Sequence, residues 1–227
     1  MAQSTYLELC NKLVQDAGIT GGDLSSVTSQ SGIRKKVVTW IRDADLQIQK
    51  LHRDWNFLYT EYTVATIAST KDYVKPSGMG MWDTASFCLN YTSSSPTDLG
   101  TMDYREWRDN YGKGTQTETT PSDVIIKPNK DLILYPTPDT VYTLTADYYA
   151  LPTALAANTD NSAIPEQYED VIIYKAKMMF AMHEEAQDLF KSAQYEYEKA
   201  LDNLIANEAP HMNAMNMAGV DMTVRVA

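Results

Sequence analysis

The residues in this chain best suited to chemistry are three histidines and one close carboxylate pair, and each lacks the companions its chemistry needs. His52 opens "HRD", which spells part of a kinase catalytic loop, but no glycine-rich phosphate loop, paired lysine or "DFG" accompanies it. His183 opens "HEE" in a helical stretch. A zinc-protease helix needs a second histidine four residues after the first, and position 187 is glutamine. His211 falls in a methionine-rich stretch near the C-terminus. Asp103 and Glu106 have the residue types of a glycosidase pair, yet Arg105 and Arg108 beside them make solvated carboxylates the simpler reading. There is no G-x-S-x-G elbow, no Walker A loop and no dinucleotide fingerprint. The expectation is a protein that is not an enzyme, with no catalytic residue, no cofactor and no metal.

Charge narrows the remaining classes. Thirty acidic against nineteen basic side chains leave a formal charge of −11, which opposes phosphate-backbone binding as the main task. An acidic wall remains suitable for a passage through which nucleic acid slides without sticking. The apolar run "MMFAM" at 178–182 is too short to span a bilayer. "MAQSTYLELC" has neither the basic start nor the apolar core of a signal peptide, so assembly in a cytoplasm is expected. Two cysteines, Cys10 and Cys88, do not make a disulfide framework, and "NYT" at 90–92 is a glycosylation sequon by spelling alone. The twenty-three aromatic side chains, Trp82 and Trp107 among them, could line a sugar-binding surface; their places in strand-like runs and helical stripes fit core and subunit contacts better.

The elements that must position these residues follow from periodicity. Residues 4–17 predict a helix capped by Ser4, with Tyr6, Leu9, Cys10, Leu13 and Ala17 along its apolar stripe. A Gly- and Ser-rich loop covers 18–32. From Ile33, the positions Val37, Trp40, Ile41, Ala44, Ile48, Leu51 and Trp55 predict an amphipathic helix of about six turns, with Arg34, Lys35, Lys36 and Arg42 on its other face. From Phe57 the runs "FLYTEYTVATIAS", "DYVKP", "ASFCLNYT", "SDVIIKP", "DLILYPTP" and "TVYTLTADYYALP" read as strands. "TMDYREWRDNYG" (101–112) reads as a short helix among them. Beyond Pro165, a stripe from Tyr168 to Leu204 predicts either one helix, about 65 Å long if unbroken from Pro165 to Asn207, or two shorter ones. In "AGVDMTVRVA", Val220, Met222, Val224 and Val226 alternate with polar residues, as in a half-buried strand that must find a sheet to join.

Taken in order, "STYLELCNKLVQDAG", the "WIRDADLQIQ" helix, a β-rich insertion, the "P-x-x-Y-x-x-x-I" opening at Pro165 and the "Y-x-x-x-L" end at Tyr197 and Leu201 resemble one family. It is the head-to-tail adaptor of tailed bacteriophages, also called the head-completion or tail accessory protein. The fold expected is α+β. A helical bundle, made of N-terminal helices and a long C-terminal helix, takes residues 1–57 and 160–209. A β-rich insertion module takes 58–159, and an extended C-terminal tail takes 210–227.

The resemblance implies a structural virion protein. It would form a homo-oligomeric ring of about a dozen copies, closed by rotation, beneath the capsid portal protein. It would extend the DNA channel and carry the tail or its nozzle protein, with no specific DNA binding and no membrane. The surfaces expected to meet partners are the basic face with Arg34, Lys35 and Arg42, and the tail with Met212, Met215, Met217, Val220, Met222, Val224 and Val226. The rivals are another ring-forming tail-completion protein, a particle-borne wall hydrolase and a carbohydrate-binding module.

Overall fold

A computed structural model of the chain describes residues 3–209. The tail expectations at Met212, Met215, Met217, Val220, Met222, Val224 and Val226 therefore lie outside the described residues. Two compact units divide the chain. One takes the residues up to Ile48, 54–57 and those from Ala154 onward, and the other takes 49–53 and 58–153.

The first unit is helical. Helix α1 (Tyr6–Asp16) is capped by Thr5, one residue after the expected Ser4. The cap is a reciprocal box: Glu8 donates its N–H to the Thr5 hydroxyl, and its carboxylate accepts the Thr5 N–H at 2.8 Å. Ser4 is engaged elsewhere: its hydroxyl accepts from the Lys12 ammonium at 2.8 Å, and its buried N–H donates to the Glu169 carboxylate at 2.7 Å. The loop that follows is pinned rather than loose. Asn11 brackets Leu24 with two hydrogen bonds, the Val27 N–H donates to Asn158, and Leu24 and Val27 are both buried.

Helix α2 (Gly32–Gln49) is shorter than its apolar stripe. Val37, Ile41, Ala44 and Ile48 are fully buried, but the backbone leaves the helix before Leu51, which is half exposed. Trp55 still reaches the core, through a turn at Asn56–Leu58, and stacks on Phe57 with ring centroids 5.1 Å apart.

Helix α3 (Tyr104–Asn110) belongs to the second unit; its cap is Asp103, which accepts the N–H groups of Arg105 and Glu106. Gly112 closes it by donating to the Trp107 carbonyl at 2.7 Å, where a Cβ would stand 3.0 Å from the Arg108 backbone. The C-terminal stripe is two helices of the first unit, α4 (Asp170–His183) and α5 (Gln187–Glu208). Glu185 turns the chain with φ +54°, and Ala186 donates back to the Ala181 carbonyl at 2.9 Å. The second helix then runs back along the first, which places the Lys175 ammonium 4.9 Å from the Tyr197 ring centre.

The second unit holds nine strands: β1 (Tyr59–Ala65), β2 (Asp72–Tyr73), β3 (Met79–Trp82), β4 (Cys88–Leu89), β5 (Thr97–Asp98), β6 (Gly100–Met102), β7 (Asp123–Ile126), β8 (Leu132–Tyr135) and β9 (Thr143–Ala150). In one sheet β9 is central. Strand β1 lies antiparallel along one side of it, from Tyr59 opposite Tyr149 to Ala65 opposite Thr143. Strands β3 and β4 share its other side, and β5 lies beyond β4. The second sheet runs β2-β8-β7-β6, with a parallel β6–β7 pair.

The sheets pack face to face. Val124, Leu132 and Leu134 from one meet Trp82, Leu89, Leu144, Ala146 and Tyr148 from the other in a single core cluster. Ile125 and Ile133, one residue out of phase, point to the opposite face and pack on Trp107 of α3. Burial on both faces explains why "SDVIIKP" and "DLILYP" read as continuous apolar runs.

Candidate assembly surfaces

The basic face of α2 is largely committed within the chain. The Arg34 guanidinium donates to the carbonyls of Gly21 and Gly22, holding the preceding loop. Lys36 hydrogen-bonds the His183 ring at the end of α4, and Arg42 pairs with Asp43 at 3.0 Å. Lys35 is exposed. Lys35 and Arg42 lie seven positions apart and share one helix face, whereas Arg34 points about 90° away. Of the three expected contact residues on α2, the structure thus brings two onto one face and engages the third with the preceding loop.

His183 is a structural histidine. Its ring meets Trp40 with centroids 5.6 Å apart, and its Nδ1 lies 2.8 Å from the Glu184 carboxylate. At the bend between α4 and α5, Met182 is 68 % exposed. It opens a groove of about 580 Å³ lined by Ala181, Ala186 and Phe190, with Glu185 and Lys191 among its polar residues. Periodicity placed Met182 on the buried stripe, and the reversal of chain direction after it turned it outward.

A cationic pocket in the second unit escaped the sequence reading. Lys50, His52, Arg53 and Lys130 surround about 440 Å³ above Met81, Leu151 and Pro152, and none of the lining residues is acidic. Lys130 reaches it from the β7–β8 turn, where its carbonyl accepts the Trp82 indole N–H at 2.8 Å. No local spacing could have joined Lys130 to "KLHR"; only the sheet pairing does.

Other candidates resolve into structural roles. Asp103 is a helix cap, and Glu106 beside it is exposed. Trp82 and Trp107 are 5 % and 6 % exposed, so neither offers a sugar a stacking platform. Tyr59 shares its hydroxyl between the carboxylates of Asp83 and Asp147, at 2.9 and 3.1 Å; burial first, and then these two acceptors, hold the phenol above its ordinary range. Among the described residues no group of three or more His, Cys, Asp or Glu could hold a metal ion. None of the described helices is long and apolar enough to cross a membrane.

The family model of the SU10 adaptor protein matches residues 4–225, both units included. The chain belongs to the SU10 adaptor protein family. This is a phage adaptor family, so the adaptor resemblance read from the helices holds at that level. No curated protein matches the SU10-type chain significantly.

Proposed function

We propose that this SU10-type adaptor is a structural virion protein that forms a ring between the capsid portal and the tail and extends the DNA channel. The carrying observation is the family match across 4–225. Two surface features support the reading. The exposed Met182 groove leaves apolar area without cover, as subunits do before they meet. The surplus of acidic residues suits a wall past which DNA moves without binding. In this reading the chain makes no covalent change to any substrate. Ring assembly in the host cytoplasm precedes its incorporation into the virion, and the β-rich unit is offered to tail or nozzle components.

The test is the native mass of whatever co-purifies with a tagged copy expressed during infection. A complex of about a dozen copies beside a ring of a second particle protein is the expected result. A lone monomer free of particle proteins overturns the reading, and a ring bound to tail tube without portal replaces it with a tail-completion role.

A further inference from the structure

Strand β1 has one partnered side. Its seven residues pair with β9 in unbroken register, and no described residue pairs with its other side. Tyr59, Thr60, Glu61, Thr63 and Ala65 are exposed along it, while Tyr62 and Val64 pack against the sheet core. Natural sheets blunt such edges with short strands, prolines, lysines or bulges. The other edge strands here follow that rule: β2 and β5 are two residues long and β6 three, and the four-residue β3 carries a register shift between Met79 and Met81. Strand β1 has none of these devices; Glu61 is its one charge. A long, regular, unprotected edge is a template for one more strand.

The chain itself carries a segment of matching length and pattern. Beyond Ala209 it continues to Ala227, and "VDMTVRV" (220–226) alternates apolar and polar residues with a single cation, Arg225. Setting Arg225 opposite Glu61 in antiparallel register puts Val224 beside Tyr62, Thr223 beside Thr63 and Met222 beside Val64. Every apolar residue then falls on the core side of the sheet. A slip of one residue would turn all of them to solvent. In parallel orientation the same charge pair sets Val226, the last residue of the alternating segment, beside Tyr62, and the segment then offers Val64 no neighbour. The ten residues 210–219 have a contour length of at most roughly 33 Å, at ~3.3 Å each.

We propose that residues 220–226 of one copy add to the free edge of β1 in the neighbouring copy, antiparallel, with Arg225 opposite Glu61. This rests on the ring reading: each copy gives one strand and receives one, a heterologous contact that closes by rotation.

The test uses connector complexes assembled from two differently tagged full-length copies, one carrying E61C and the other R225C, under mild oxidation. The native cysteines are buried and do not interfere. The expected product is a disulfide-linked pair carrying both tags. In a parallel wild-type assembly, hydrogen exchange of the 59–65 amides should slow by roughly tenfold or more on ring formation, and should not slow in a chain truncated after residue 209. Rings of the expected mass without the cross-link or the protection overturn the strand exchange and leave the ring standing. A monomer-sized internal disulfide in a chain carrying both substitutions overturns it too, by placing the tail on its own β1. Copies that never associate overturn both readings.

Discussion

Glu169 shows how much of this molecule depends on single buried polar groups. Its carboxylate is 3 % exposed, accepts the Ser4 N–H and lies 3.7 Å from the Lys12 ammonium, so it fastens the start of the chain to the start of α4. Lys12 is half exposed and its Coulombic share is small; the desolvated hydrogen bond matters more. Glu169→Ala should destabilise the fold by about 1–3 kcal/mol in denaturant titration, with Glu169→Gln losing less because an acceptor remains. The two thiols are equally specific. Burial pushes Cys10 up to about 12, and burial foremost raises Cys88 as well. Neither should be labelled by a thiol reagent at mildly alkaline pH in the folded protein, and both should be labelled in denaturant, as read by mass spectrometry. The sequence revealed Cys10 as an apolar-face residue but was silent on Glu169, whose partners are more than 150 residues away.

At the level of elements, the α4–α5 bend makes a test whose sign is diagnostic. Glu185 holds a left-handed backbone conformation, so Glu185→Gly should leave stability unchanged or raise it by about 0.5 kcal/mol. In a continuous helix the same change would cost about 1 kcal/mol. Thermal or denaturant midpoints separate the two.

Caps and turns also set the acid response. Hydrogen bonds from Thr5 lower Glu8, those from Lys75 lower Asp131, and those from Ala157 and Ala156 lower Asp160. Each group binds its proton more weakly folded than unfolded. Their contribution is therefore complete above the ordinary carboxylate values of 4.5 and 3.8 and disappears as pH falls through the lowered folded values. Denaturant midpoints should fall across that acid range, and Glu8→Gln should flatten part of the slope. The elements themselves were readable where burial is one-sided or complete, as in α1 and in the runs that became β7 and β8. Helix ends were not. The stripe through Leu51 and Met182 reports which residues are apolar, whereas the chain leaves the helix wherever tertiary partners claim the next backbone groups.

At the scale of the whole molecule, the apolar groove and the acid surplus make separate forecasts. Met182→Asp should leave the monomer's unfolding midpoint nearly unchanged, since that side chain is 68 % exposed, yet should lower the yield of high-mass assemblies on native mass measurement. No reactive site was readable in the sequence. The working surfaces were readable only in part, because exposure and long-range convergence, as at Lys130, are products of the fold.

The central place of β9 has a consequence for synthesis. Strand β1 leaves the ribosome early, and the strand that completes it is the last of the nine to emerge. Until then the nascent chain carries an unpaired strand with Tyr62 and Val64 uncovered, and the long sequence separation between the partners makes its closure a slow step. Translation speed and chaperone capacity thus become determinants of how many chains close this sheet before they associate wrongly.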